Sequence, residues 1–266
     1  MNPVDKLRVR AAFSRGAERY DARAIAQAVA RERVAGLVER HAPGARRVLA
    51  VGAGTGALGA RLAARDPAVR LALADLAPGM CATARAAVPT AAVVTADAEA
   101  LPFPTGRFDA VVSSSAFQWL TRLEPALAEA RRVLAPGGAL VLALFAERTL
   151  RELHEAWLHV AGGAGAARMH RFFKRHEVAE AVIGAGLELV ALDEEEIVER
   201  HPDARAVLRA IRAVGAGNAV PRGEGGGLGG RGVTLALLAR YDGVHGGPDG
   251  VPATYHVVYA VARRPG

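Results

Sequence analysis

The sequence predicts an α/β fold: a doubly wound, mostly parallel sheet of seven strands with helical lid elements. Three observations carry that expectation. Short apolar runs recur at Arg47–Val51, Leu71–Asp75, Ala91–Thr95, Asp109–Ser113 and Ala139–Leu144. Helix-length segments, Ala57–Arg65, Gly79–Ala87 and Pro125–Leu134, lie between them. A glycine-rich turn, "VGAGTG" (51–56), follows the first run. Strand, helix, strand at this rhythm argues for parallel βαβ units. The runs are continuously apolar rather than alternating, which suits strands covered on both faces.

The remaining elements follow in chain order. The first 40 residues read as an Arg-rich helical lead-in. Within it, "AAFSRGAERYDARA" (11–24) places Phe13, Tyr20 and Asp21 on a helix and turn ahead of the sheet. That segment either packs on the sheet edge or closes over a bound ligand as a lid. Pro136-Gly137-Gly138 ends a helix and starts the fifth strand. From Leu150 to about Ala185 the pattern is helical again, broken by "GGAGA" (162–166). Leu187–Val198 reads as a sixth strand running into the acidic stretch Asp193–Glu196, and His201–Val214 as a helix. "GEGGGLGG" (223–230) has linker composition. Thr234–Tyr241 reads as a short helix, "GVHGGPDG" (243–250) as a loop, and Thr254–Val261 as the last strand. The chain is expected to form one domain over 1–266. Residues 1–42 would be the lead-in, 43–145 a cofactor-binding core, and 146–266 substrate-side helices with the last two strands.

Composition bounds the partners. The 266 residues are 51% apolar, enough for one sizeable core. No apolar run reaches the length of a membrane span, and the N-terminus has no signal-peptide core, so a cytoplasmic protein with no membrane contact is expected. One cysteine, Cys81, excludes a disulfide framework; it reads as a buried small apolar residue. His154, His159 and His170 have no metal-site spacing, so no metal is expected. The formal net charge is +7, and only Lys6 and Lys174 of the 34 basic residues are lysine. The surplus serves either solubility or an acidic partner. No aromatic-interleaved basic stripe favours nucleic acid.

In a doubly wound sheet the ligand sits at the carboxyl ends of the strands, near the order switch. Gly52, Gly54 and Gly56 make G-x-G-x-G. The dinucleotide pattern would put its third glycine at position 57, which is Ala57, and no G-K-[ST] follows. The turn therefore lets backbone approach a cofactor without forming a pyrophosphate cradle. Asp75 ends the second strand, where a carboxylate can accept from both hydroxyls of a ribose. Asp97 follows the third strand and could meet an adenine amino group, with Phe103 flanking the ring. Alternatively, each acid is a helix cap or loop carboxylate.

With these residues the chain resembles the class I S-adenosylmethionine-dependent methyltransferases, which have a Rossmann-like fold. "VGAGTG", "ALADLAPGM", "ADAEALPF", "FDAVVSSSAFQW" and "ARRVLAPGG" carry the likeness. It implies S-adenosyl-L-methionine as cofactor, held by Gly52, Gly54, Gly56, Asp75, Leu76, Asp97 and Ala98. Ala50 stands where that family usually has an acid that helps hold the methionine end.

The flanks narrow the resemblance. "TLRELHEAW", "MHRFFKRHE", "GAGN" (215–218) and "GVPATYHVVYAV" are similar to the malonyl-acyl-carrier-protein O-methyltransferases of biotin synthesis. That likeness implies methylation of the free carboxylate of a malonyl thioester on an acidic acyl carrier protein. The ester would start pimeloyl synthesis. A malonyl carboxylate is ionised near neutral pH, so no general base is needed. Catalysis is then positioning and exclusion of water.

Arg171 is the candidate to fork onto the carboxylate, with Phe172 and Phe173 as apolar walls. Arg168, Arg171 and Arg175 would share a helical face. If Arg171 points inward, carrier docking falls to Arg168, Lys174, Arg175 or the arginines of 200–212. Tyr20 and Ser114 are further catalytic candidates, followed by Gln118, Asn218 and Tyr255. Trp119 and Tyr255 read more readily as core. Two other readings stand beside this one. One is a methyltransferase acting on a free acid or quinone precursor. The other is a methyltransferase fold that only binds.

Overall fold

A computed structural model describes residues 5–161, 170–216 and 231–266. The segments "GGAGA" and "GEGGGLGG", together with Arg168 and Asn218, lie outside the described residues. Seven strands form one sheet in the order β3-β2-β1-β4-β5-β7-β6. They are β1 (Arg47–Val51), β2 (Arg70–Asp75), β3 (Ala92–Thr95), β4 (Phe108–Ser114), β5 (Leu134–Phe145), β6 (Glu188–His201) and β7 (Val251–Arg263). All neighbours from β3 to β5 pair in parallel, and β7 runs antiparallel to both β5 and β6. The helices are α1 (Lys6–Gly16), α2 (Ile25–His41), α3 (Ala57–Arg65), α4 (Pro78–Ala87) and α5 (Glu124–Val133). These are followed by α6 (Arg151–Ala161), α7 (Arg175–Gly184), α8 (Ala204–Ala213) and α9 (Arg231–His245).

Successive residues of each parallel strand feed opposite faces of the sheet. Val48 and Ala50 join the core shared with α2, α3, α6 and α8, whereas Leu49 and Val51 join the core under α5 and α7. That is why the runs read as continuously apolar. β6 lies at the edge and alternates. Its acids Asp193, Glu195 and Glu196 meet Arg33, Arg148 and Arg151, so the edge is charged rather than sticky. Local signals set the helix starts. The Asp5 carboxylate accepts from Leu7 N and Arg8 N, and Asp203 accepts from Ala206 N. Proline opens α4 and α5.

Three expectations need correction. β5 begins at Leu134, before the Pro136-Gly137-Gly138 corner. Leu134 already pairs with Phe108, and Gly137 and Gly138 exchange backbone bonds with Arg264. Residues 170–174 are not helical: Phe173 bridges Ala146 and helix begins only at Arg175. The shared helical face of Arg171 and Arg175 therefore does not exist. The helix expected over Thr234–Tyr241 extends over Arg231–His245, taking in part of the loop expected at 243–250.

The chain switches direction across the sheet between β1 and β4, so their carboxyl ends leave a crevice. The glycine turn fills it with unusual backbone: Gly52, Gly54 and Gly56 have φ of +65°, +57° and +87°. A Cβ on Gly52 would overlap the Ala116 side chain, whereas the space beside Gly54 is open. Gly52→Ala is expected to cost roughly 2–4 kcal/mol from overpacking plus left-handed strain. Gly54→Ala carries the strain alone, about 1–2 kcal/mol. Denaturant titration of the two variants should rank them in that order.

Candidate active site

The crevice opens into two adjoining cavities. The larger, about 1120 Å³ including its mouth, is walled by the ends of four strands and by the lead-in. Such a volume suits a small-molecule ligand. Gly52, Gly54, Asp75, Leu76, Asp97, Ala98 and Ser114 line it, together with Phe13, Tyr20 and Asp21 from the lead-in. Gly56 does not. It starts α3, where its φ of +87° brings its Cα close to Ala84. The second cavity, about 420 Å³, shares Phe13, Tyr20, Gln27, Ser115 and Trp119 with the first. It runs on to Phe145, Phe172, Ile211 and Tyr255.

Asp75 is the hub of the glycine turn. Oδ2 accepts from Gly54 N at 2.8 Å and Oδ1 from Ala77 N at 2.8 Å. Burial pushes its carboxyl above the usual range, and the two backbone bonds pull the other way. Each oxygen retains a lone pair for a ligand hydroxyl. Asp97 is already engaged, with Oδ2 accepting from Lys6 Nζ of α1 at 2.6 Å. Lys6 also reaches Glu99. The lead-in is thus tied across the cavity mouth by an ion pair that the sequence reading missed. The pair spans residues 91 apart, and no local pattern marks it.

At the end of β4, Ser113, Ser114 and Ser115 all have buried Oγ atoms without hydrogen-bond partners among the described residues, as has Gln118 Oε1. Ser115 sits at φ +57°, a strained position for a serine. Orphaned donors and acceptors grouped at a cavity wall have the chemistry of a polar ligand contact. Tyr20 is half-buried. Desolvation, then Asp21 and Asp75, raise its phenol well above the ordinary value, so it stays a neutral donor.

Other expectations fall differently. Arg171 does not face either cavity. It pairs with Glu177, with 46% of its side chain exposed, because the chain from 170 to 174 is extended and turns it outward. Phe103 packs edge-on against Phe108 at 5.1 Å and is no cavity wall. Of the two expected apolar walls, Phe172 lines the second cavity and Phe173 is buried in the α7 core. Trp119, expected in the core, lines both cavities. Tyr255 packs at 7% exposure and lines the second. Cys81 is buried as expected. Among the described residues no His, Cys, Asp and Glu cluster is placed to hold a metal, and no helix is long and apolar enough to cross a membrane.

Residues 49–142 match the methyltransferase domain family. A putative methyltransferase from Bacillus halodurans shares the fold, with a TM-score of 0.61 at 21% identity over 88% of this chain and 99% of its own. A [4+2]-cyclase, SpnF, does so with a TM-score of 0.55 at 21% identity over 88% and 80%. The fold and its crevice are those of a methyltransferase. Over nearly full length the chain is 47% identical to the malonyl-[acyl-carrier protein] O-methyltransferase of Geobacter sulfurreducens, covering 98% of this chain and all of that one. It is 40% identical to the Laribacter hongkongensis protein of the same name, covering 98% and 90%. The protein belongs to the malonyl-[acyl-carrier protein] O-methyltransferase family.

His154 and His170 lie behind the second cavity's wall, in ring contact with Phe172. His170 donates from Nε2 to Gln118 O at 3.0 Å and contacts Trp119 and Phe172 edge-on or tilted. Burial lowers both histidines to about 4. The folded state thus binds these protons less readily than the unfolded chain. Their contribution to stability is fully present above about pH 6.5 and is lost as pH falls through about 4. Thermal unfolding is expected to show a loss on the order of a few kcal/mol between these limits. In His170→Phe the loss should shrink.

Proposed function

We propose that the protein transfers the methyl group of S-adenosylmethionine to the free carboxylate of a malonyl group carried on acyl carrier protein. The observation that carries this reading is the pair of adjoining cavities. A mainly apolar cavity of cofactor size, with Asp75, Asp97 and the serines at the end of β4 among its walls, gives onto a smaller apolar one suited to an acyl arm. The family membership supplies the substrate.

The residues fit the cofactor. Backbone at Gly52 and Gly54 allows close approach, and Gly56 sets the turn into α3. Asp75 has lone pairs free for ribose hydroxyls, Leu76 and Ala98 would flank the base, and Asp97 would accept from its amino group. Bound there, S-adenosylmethionine supplies an electrophilic methyl that a carboxylate oxygen takes directly, the S–CH₃ electron pair staying on sulfur and no proton moving.

The chain's own part is positioning. Tyr20, at the wall the cavities share, and Ser114, on the side of the larger one, are neutral donors that orient the acceptor carboxylate. Trp119 and Phe13, in edge contact at 5.7 Å, keep water from the junction. Residues 1–42 act as the lid, 43–145 hold the cofactor, and 146–266 shape the acyl side. The acidic carrier docks on α8. Arg205, Arg209 and Arg212 are exposed there without an ion pair among the described residues, and Ile211 of the same helix lines the second cavity.

Incubation with labelled S-adenosylmethionine and malonyl-carrier protein is expected to give a base-labile methyl ester on the carrier. Absence of the ester overturns the reading. Transfer to free malonate at an equal rate would move the activity to a small-acid methyltransferase. Asp75→Ala is expected to weaken S-adenosylhomocysteine binding by roughly 1–3 kcal/mol, the scale of charge-assisted hydrogen bonds. Calorimetry measures it.

A further inference from the structure

One cation in the larger cavity has no hydrogen-bond acceptor among the described residues, only long ion pairs to Asp21 and Glu32. Lys6 and Arg31 are the basic residues among its described walls. Lys6 is taken by Asp97 and Glu99. Arg31 makes no hydrogen bond among the described residues. Its nearest carboxylates, Asp21 at 3.8 Å and Glu32 at 3.9 Å, lie beyond hydrogen-bond reach. Only 23% of its side chain is exposed. A guanidinium has five N–H donors, and withdrawing them from water without acceptors costs free energy. Arginines of similar or greater exposure elsewhere in this protein do find acceptors. Arg47 forks onto Asp109, and Arg132 reaches Glu129, Phe103 O and Leu101 O.

We propose that Arg31 is a carboxylate-binding residue of the larger cavity, and that it takes the carboxylate at the amino-acid end of the cofactor. This rests on the cofactor reading above. Its place on α2 selects the ligand. Gln27, one turn earlier, lines both cavities, whereas Arg31 lines only the one with the glycine turn. Arg31 therefore sits on the cofactor side of the shared wall, away from the acyl side. Ala50, at the end of β1, lines the same cavity. With a methyl group there, no acid from that strand competes for the guanidinium. A bidentate Arg–carboxylate pair then fixes one end of the ligand while Asp75 holds the ribose.

Two ligands separate the carboxylate from the rest of the cofactor. S-adenosylhomocysteine has the amino-acid end, and 5′-methylthioadenosine keeps the nucleoside and thioether without it. Calorimetry on Arg31→Gln is expected to show S-adenosylhomocysteine weakened roughly 10- to 100-fold and methylthioadenosine unchanged. Arg31→Lys, which keeps the charge but not the fork, should fall between. Unchanged thermal midpoints verify folding. Equal loss for both ligands, or no loss for either, overturns the proposal. Unchanged S-adenosylhomocysteine affinity with a raised KM for malonyl-carrier protein overturns the cofactor assignment and gives the carboxylate to the acyl substrate. Wild-type protein that binds neither ligand overturns the proposed function itself, and with it this inference. A silent Arg31→Gln overturns this inference alone.

Discussion

The Asp75 carboxylate is the constraint on which the site depends. It stands at the end of β2 but accepts from the turn after β1 and from the start of α4. Three segments are thereby fixed to one side chain. Ala53 N adds a bond to Ala74 O at 3.0 Å, so backbone and side chain clamp the same loop. The clamp explains why three left-handed glycines cluster there. The loop must turn tightly enough to reach Asp75 while Gly52 passes against Ala116. Burying the acid is costly, and the two charge-assisted bonds offset that cost.

The lead-in helices around this clamp are tethered unequally. α2 buries Ala26, Ala30 and Val34 completely and ties its first turn to Glu199 through Ala26 N. α1 fully buries only Val9, and it is held both by Lys6 to Asp97 and Glu99 and by Phe13, which packs on the Met80 cluster and against Trp119. It also packs closely at Gly79, where a Cβ would overlap the Ser14 backbone. Lifting α1 therefore exposes less apolar surface than lifting α2, which would open the core. The two helices of the lead-in are held differently: α2 is built into the core, and α1 rests across the cavity mouth.

The parallel core was legible because its signals are local. Arg47–Val51 and Ala57–Arg65 have the read boundaries, since strand, glycine turn and helix follow one another without long-range help. The place of Asp75 at the end of the second strand was legible for the same reason. Where packing overrides local pattern the reading failed. Basic residues around Arg171 suggested a helix, but pairing of Phe173 with Ala146 keeps that segment extended and turns Arg171 to solvent. Trp119 and Phe103 exchanged roles because aromatic residues near a crevice look alike until the chain traces which wall each occupies. Lys6 and Arg31 were missed because their partners and cavity come from segments distant in sequence.

The protonation states of the histidines and Tyr20 around the cavities follow mainly from burial. Desolvation holds His154 and His170 neutral and raises Tyr20 away from ionisation. Between about pH 5 and 9 none of these three side chains changes charge. A site for acid–base chemistry places a group with a pKa near working pH beside the reacting atoms. Here the opposite holds: Tyr20 in the wall and the two histidines behind it each stay in one state. That suits transfer of a methyl group to an acceptor that arrives already ionised. Selectivity must then come from shape and fixed charge, which is why the placement of each arginine matters more here than the basicity of any residue.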